Sequence, residues 1–410
     1  MLSVDEALEQ IRSCVAPLGS RRVKLSDLLG LHLAEPVTSW VDSPPFDRST
    51  VDGFAIALDE VSPELQVTET VVAGGVPRGA VTPGTTIRIM TGAPVPVGAQ
   101  AVVKFEDCQW IDDRAIRNPA AGVKPGAFIL KRGAAFRTGE VVLPAGKRVT
   151  PLDVALLAEI GQAEVAAVPR PRIGVLPTGD ELVAADAPRL APGQIRNSNG
   201  PMLLAALEAA RFAGVDLGVG RDDERDLREK ILRGLECDVL LVSGGVSAGL
   251  KDLVPGVLAE LGVTEHFHQV RVKPGKPLWF GVREGGKRRS LVFGLPGNPV
   301  STFVSFQLFV LPALRALAGG AFRPQATVRA SLATAFEHRG QRPTYHPCRV
   351  VGEDARHGGS STSGGRPVVE PLDWQGSADL ATLTRADCLA VLPEGDYRLE
   401  AGGEVEVVEL

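Results

Sequence analysis

Asp238-Val239-Leu240-Leu241-Val242-Ser243-Gly244-Gly245 decides the architecture of this chain. A short apolar run opens on an acid and closes on a serine–glycine turn, which is how a buried strand ends in a loop. Working outward, Asp222 to Leu235 reads as a charged helix and Val215 to Val219 as a strand. Asn199-Gly200-Pro201 opens a helix through about Ala213, and Arg172-Ile173-Gly174-Val175-Leu176 is another buried-strand run. On the other side, Asn298-Pro299 starts a helix with Asn298 as its cap. Strand and helix alternate over residues 170 to 318, a rhythm that predicts a mostly parallel sheet with helices on both faces.

The flanks differ in texture. Residues 1 to about 40 look helical, because Val4, Ala7, Leu8 and Ile11 form an i, i+3, i+4, i+7 stripe behind Ser3 as N-cap. From about 42 to 145 the runs are short and β-rich, as in Thr68-Glu69-Thr70-Val71-Val72 and Thr86-Ile87-Arg88-Ile89, between Pro and Gly punctuation. Thr150-Pro151-Leu152-Asp153 starts another helix, which stops at Gly161. Beyond about 320 the chain is β-like again, broken by a Gly/Ser loop at 357–365 that reads as flexible. The expected fold is multidomain α/β plus β: a discontinuous helical domain (1–43 and 139–168), an inserted β-rich domain (44–138), a central three-layer α/β domain (169–319) and a C-terminal β-domain (320–410).

Length and charge bound the function. A chain of 410 residues holds two to four domains at roughly 150 residues each. With 44% hydrophobic and 23% charged residues it is ordinary globular material. A net charge of −5 argues against nucleic acid, which asks for a clustered basic surface. The five cysteines are scattered, with no C-x-x-C pair, and read as reduced thiols. The N-terminus has no signal-peptide pattern, and the apolar stretch Val300 to Ala318 contains Ser, Gln, Pro and Arg, so it reads as a buried helix. A cytoplasmic location is expected.

Ligands of such a sheet bind outside the carboxyl ends of its strands. Pro177-Thr178-Gly179-Asp180-Glu181 places two acids beside a glycine turn, suited to Mg²⁺ or to capping the next element. Ser243-Gly244-Gly245-Val246-Ser247 offers backbone N–H groups and hydroxyls to an anion, with Asp252 following. Lys273-Pro274-Gly275-Lys276-Pro277 holds two lysines on a rigid turn, suited to phosphate or another oxyanion. Leu295-Pro296-Gly297-Asn298-Pro299 sets a turn at a helix N-terminus, where N–H groups attract anions. Together they describe a pocket for a phosphorylated, metal-bound ligand. There is no GxxxxGK[ST], no complete GxGxxG fingerprint in this region and no GxSxG elbow. His266 and His268 have no zinc-spaced partners and read as structural.

These motifs, with Pro44-Pro45-Phe46-Asp47-Arg48-Ser49-Thr50-Val51-Asp52-Gly53 and Arg88-Ile89-Met90-Thr91-Gly92-Ala93-Pro94, resemble the molybdopterin molybdenumtransferase family, which includes the gephyrin E domain. They occur in the family's order over essentially the whole chain. The resemblance implies an elongated homodimer that joins through the helical domain and shares its cleft between subunits, with 169–319 binding molybdopterin. It implies that molybdate and adenylylated molybdopterin are the substrates and that AMP leaves with the help of Mg²⁺. Glu181 and Asp252 would hold Mg²⁺ or orient water, and Lys273 and Lys276 would meet phosphate or molybdate oxygens. Ser243, Gly244, Gly245 and Ser247 would cradle the pterin phosphate. Thr178, Gly179, Asp180, Pro296, Gly297, Asn298 and Ser377 would also contact substrate. Asp47, Asp52 and Thr91 would come from the partner chain. Alanines stand at Ala134 and Ala135 where the family commonly carries an acid, and Leu250 and Leu253 replace polar and aromatic residues. Two alternatives stay open: a molybdopterin adenylyltransferase-like enzyme and a non-catalytic pterin-binding scaffold.

Overall fold

The computed structural model describes residues 1–246, 253–285, 289–351 and 366–410. Ser247, Asp252 and the 357–365 loop therefore lie outside the described residues. Two compact units result, one of Met1–Arg21 with Val168–Leu410 and one of Arg22–Ala167.

In the first unit six strands form a sheet in the order Gly214–Asp216, Ile173–Pro177, Val239–Ser243, Ser290–Leu295, Trp279–Arg283, Val263–His268. The first four are parallel. Trp279–Arg283 runs against both of its neighbours. The central strand shows why an unbroken apolar run was needed. Val239 and Leu241 join the cluster of helices Val4–Cys14, Asn199–Ala209 and Pro299–Ser305. Leu240 and Val242 point the other way, into the cluster of Glu224–Gly234 and Leu253–Glu260. Period-two alternation thus feeds two cores at once, and both faces must be apolar. A Leu241→Ala cavity here should cost about 2–5 kcal/mol.

The register fixes where the loops begin. Pro177 lies opposite Ser243, and Ser243 lies opposite Leu295. Three parallel strands therefore stop in line, and Thr178, Gly244 and Pro296 leave from the same edge. The helix at Pro299–Leu317 is long and apolar enough to cross a membrane, but 83% of its tested window is buried inside the protein. It is the central core helix of the unit. Its middle widens into a π turn at Phe306–Val310, directly before Pro312, whose ring could not continue a tight ladder. The C-terminal segment closes a five-stranded barrel from Thr327–Leu332, Val368–Pro371, Thr344–Val351, Cys388–Leu392 and Glu404–Glu409. The five cysteines are all free thiols.

The second unit holds a six-stranded sheet in the order Ala101–Lys104, Gly53–Ile56, Thr85–Ile89, Glu64–Val71, Ala115–Arg117, Trp110–Asp112. A separate core gathers Leu28, Leu33, Leu143, Leu157 and Ile160. The helix Pro151–Glu159 starts as expected, with Thr150 and Asp153 capping each other.

The helical domain expected at 1–43 and 139–168 needs correction. Met1–Arg21 belongs with Val168–Leu410, because Ala7, Leu8 and Ile11 bury themselves in the α/β core. The stripe and the Ser3 capping box are as read, but the stripe faces a different partner. The remainder carries short strands such as Val37–Thr38 paired with Val141–Leu143, so a single α-helix, Pro151–Glu159, is present there. Asn298 precedes the core helix without making a side-chain cap; its Nδ2 donates instead to Ser377 Oγ at 2.8 Å.

Candidate active site

The glycine loop is shaped by close approach. Gly244 and Gly245 have φ of +92° and +63°, and added Cβ atoms would lie 2.6 Å from the Thr178 carbonyl oxygen and 2.9 Å from Thr178 Oγ1. Only glycine closes this turn. The Gly244 N–H donates to the Leu295 carbonyl at 3.1 Å, and the Thr178 N–H donates to the Ser243 carbonyl at 2.8 Å. Ser243 does not play the part read for it. It is 2% exposed, and its hydroxyl accepts from Asn199 Nδ2 at 2.8 Å and donates to the Pro296 carbonyl at 3.3 Å. Its hydroxyl is spent inward, holding the loop rather than a phosphate.

Asn199 was not singled out from sequence. Its Nδ2 also donates to the Gly297 carbonyl at 2.7 Å, so one buried amide ties the glycine loop to the Pro-Gly-Asn turn. The turn is bonded further along: Asn298 Nδ2 donates to Ser377 Oγ at 2.8 Å, and the Val300 N–H donates to the Ser377 carbonyl at 3.2 Å.

Lys273, Lys276, Pro296, Gly297, Asn298 and Ser377 line one cavity of about 610 Å³. The lysine turn is anchored by backbone: the Lys273 N–H donates to the Pro343 carbonyl at 2.8 Å, and the Tyr345 N–H donates to the Lys273 carbonyl at 2.7 Å. Gly275 has φ of +115°, and a Cβ there would lie 2.9 Å from Ser305 Oγ. Both lysine side chains are exposed to the cavity's solvent. Ser301, Arg342 and Trp374, to which sequence reading gave no role, also line it. Arg342 donates to the Val272 carbonyl at 3.0 Å, which fixes a third cation beside the lysines. No periodicity or motif marks Arg342; only the barrel's return to the sheet edge brings it there.

The acids fall differently. Asp180 Oδ1 accepts from the Asp222 N–H at 3.1 Å, so it caps a turn. Glu181 is exposed, with its carboxylate folded over Gly179, where a Cβ would sit 2.4 Å from Oε2. Gly179 has φ of +143°, so both conformation and space ask for glycine. Among the described residues no three His, Cys, Asp or Glu side chains converge on a metal position. Mg²⁺ commonly takes one or two protein carboxylates and completes its shell with phosphate and water. One exposed carboxylate over a glycine fits that donor set.

Asp47, Asp52 and Thr91 belong to the second unit. Asp52 Oδ1 accepts from both the Thr91 N–H and the Thr91 hydroxyl at 2.7 Å. That backbone hydrogen bond, followed by the hydroxyl, holds the Asp52 carboxyl below the usual carboxylate range. Asp47 Oδ2 accepts from Lys131 Nζ at 2.8 Å and Oδ1 from the Arg132 N–H at 2.8 Å, and Lys131 is the main cause of its lowered pKa. Asp47 thus organises the turn that leads into Ala134 and Ala135.

Comparison with known proteins agrees along the whole chain. Residues 2–161 match the family model "MoeA N-terminal region (domain I and II)", residues 174–316 match "Probable molybdopterin binding domain", and residues 329–410 match "MoeA C-terminal region (domain IV)". The chain is 32% identical over 431 residues to a molybdopterin molybdenumtransferase of Nostoc sp., covering 100% of this chain and 94% of that protein. It is 31% identical over 419 residues to the molybdopterin molybdenumtransferase of Staphylococcus aureus strain Mu50, covering 99% and 95%. A crystal structure of the molybdopterin biosynthesis MoeA protein of Pyrococcus horikoshii superposes with a TM-score of 0.81 at 30% identity, covering 100% of this chain and 99% of that one. The chain belongs to the molybdopterin molybdenumtransferase (MoeA) family, transferases of molybdenum cofactor biosynthesis.

Proposed function

We propose that this chain inserts molybdenum into molybdopterin, using molybdate and adenylylated molybdopterin as substrates. Water attacks the phosphoanhydride of the adenylylated pterin, so AMP leaves and the terminal phosphate stays on the pterin, and molybdate takes the two dithiolene sulfurs as one of its oxygens departs as water with the two thiol protons. The observation that carries this reading is the cavity of about 610 Å³ in which Lys273, Lys276 and Arg342 stand beside Asn298 and Ser377. Such chemistry depends on positioning and on neutralising oxyanion charge, and three cations on anchored backbone supply both. Lys273 and Lys276 are assigned to phosphate or molybdate oxygens. The N–H groups of Gly245, Gly297 and Asn298 are assigned to the pterin phosphate end, with Gly244, Thr178, Gly179 and Pro296 framing them. Mg²⁺, when bound, neutralises phosphate oxygens. Glu181 is its proposed protein ligand, with Asp252, outside the described residues, as the second.

A homodimer with a shared cleft is part of the proposal, in which Asp47, Asp52 and Thr91 serve the partner's substrate. The bonded pair Asp52–Thr91 supports it, because an exposed carboxylate is held ionised with one oxygen left over. A cytoplasmic location fits the five free thiols.

The test is turnover by the purified chain with adenylylated molybdopterin, molybdate and Mg²⁺. The proposal expects AMP release that requires molybdate and a product that activates an apo-molybdoenzyme. Formation of adenylylated pterin from ATP would instead mark an adenylyltransferase, and pterin binding without AMP release would mark a scaffold.

A further inference from the structure

Trp374 lines the same cavity as the three cations. It is half-buried, so part of the indole faces the cavity and part packs into the protein. The packed part is held firmly. The His346 ring meets it edge-on, with centroids 5.7 Å apart and planes at 83°. His346 is itself pinned by a 3.0 Å hydrogen bond to the Leu372 carbonyl and by the Phe336 ring 4.6 Å away. Burial pushes the His346 imidazole down to about 4, so a neutral ring abuts the indole at neutral pH.

The backbone on both sides of Trp374 is also tied. The Leu372 N–H donates to the Pro347 carbonyl at 3.0 Å, and the Gln375 N–H donates to Asp379 Oδ2 at 3.1 Å. Asp379 is held by the Thr382 hydroxyl at 2.7 Å and the Thr382 N–H at 3.0 Å. The indole Nε1 is buried with no acceptor among the described residues. A position kept only for packing would be better served by Phe or Leu, which have no polar atom to strand. A rigid aromatic face beside a bank of cations is the means by which proteins bind a flat heteroaromatic ring that carries phosphate.

We infer that Trp374 is the stacking wall for the heteroaromatic end of the substrate, a specificity-determining residue that binds a purine or pterin ring by its face while Lys273, Lys276 and Arg342 take the attached oxyanions. This rests on the functional reading above. The ring could be the adenine or the pterin, and the probes separate them: AMP in one arm and a 6-alkylpterin monophosphate in the other, with molybdate and inorganic phosphate as ringless controls.

Binding to the full chain is measured by calorimetry for wild type, W374F and W374A. For the ring that stacks, W374A is expected to bind about tenfold more weakly, the size of one base–aromatic stack, and W374F to recover most of the loss. Molybdate and phosphate should change by less than about twofold. In turnover, W374A should raise KM for adenylylated molybdopterin with kcat retained. Indole fluorescence gives a readout independent of truncation: ligand should quench wild type but not W374F, which keeps Trp40, Trp110 and Trp279. Unchanged affinity of W374A for both ring ligands, or equal quenching in W374F, overturns the inference. Absence of AMP, pterin and molybdate binding in the wild type would instead overturn the functional reading beneath it.

Discussion

Asn298 and Ser377, 79 residues apart in sequence, are joined by a 2.8 Å hydrogen bond from the Asn298 amide to the Ser377 hydroxyl. The bond links the turn at the end of a sheet strand to the loop that carries Trp374. It ties together the two banks of the cavity. The cations should dominate affinity for the oxyanions, and the bond should set their spacing. A hydrogen bond to a charged group contributes about 1.5–3 kcal/mol, so K276A and R342A should each lower kcat/KM roughly 10- to 150-fold. S377A leaves charge untouched and should cost about tenfold or less. Steady-state AMP release measures all three, with melting temperatures near wild type. Equal activity in K276A and wild type would remove Lys276 from the site.

Asn199 should behave as a structural keystone of the same cavity. Its Nδ2 serves two acceptors, the buried Ser243 Oγ and the part-buried Gly297 carbonyl. N199A leaves both without a donor, and an unmet buried acceptor costs about 1–3 kcal/mol. The variant should melt several degrees lower and lose turnover, whereas S243A, which removes one partner but leaves Asn199 bonded to Gly297, should do less of each. Thermal melts and AMP release on both variants decide it; a milder effect in N199A than in S243A would contradict the assignment.

Much of this was legible in the chain, and the reasons differ by residue. Val239–Val242 announced a strand buried on both faces because a parallel sheet has no solvent face. Ser3 and Thr150 announced helix starts because capping is local chemistry. Lys273 and Lys276 were readable as neighbours on one rigid turn because prolines and a glycine flank them, and both line the same cavity. Asn199 and Arg342 were not, since their partners lie about 44 to 98 residues away for Asn199 and 70 for Arg342, and such pairings follow from tertiary structure alone. Ser243 was misread for the same reason: a serine after a strand fits a cradle, and only packing shows its hydroxyl turned inward. The helix Val4–Cys14 had its stripe read correctly, but a stripe does not name the surface it covers.

Gly179 controls the Glu181 carboxylate. With φ of +143° and a would-be Cβ 2.4–2.7 Å from that carboxylate, Gly179→Ala must both strain the backbone and push Glu181 aside. A non-glycine residue in such a conformation costs about 1–3 kcal/mol. G179A should therefore lose modest stability and need more Mg²⁺ for half-maximal AMP release, and E181Q should share the second effect without the first. Mg²⁺ titrations of turnover together with melting curves separate the two. An unchanged Mg²⁺ requirement in both variants would take Glu181 out of the metal's shell.

His346 makes the barrel side of the cavity acid-sensitive. Its pKa falls from 6.5 to about 4, first because it is buried, then through His338 and the Lys273 charge, with the Leu372 carbonyl opposing. The sign follows from proton counting. Between pH 6.5 and about 4 the unfolded chain holds the His346 proton and the folded chain does not, so this group destabilises the fold as pH drops through that window. Above pH 6.5 it is neutral in both states and contributes nothing, and below about 4 the loss is complete. H346Q keeps a side-chain donor for the Leu372 carbonyl and cannot titrate. Melting temperature against pH, measured on wild type and H346Q, should therefore show wild type losing stability relative to the variant as pH falls from 7 to 4, with the gap constant above pH 7. In the folded chain His346 takes up its proton only around pH 4, so Trp374 fluorescence should change near pH 4 in wild type alone, since its edge-on neighbour is the group being protonated. Parallel melting curves from pH 7 to 4 would mean that His346 is not buried in the neutral state described here.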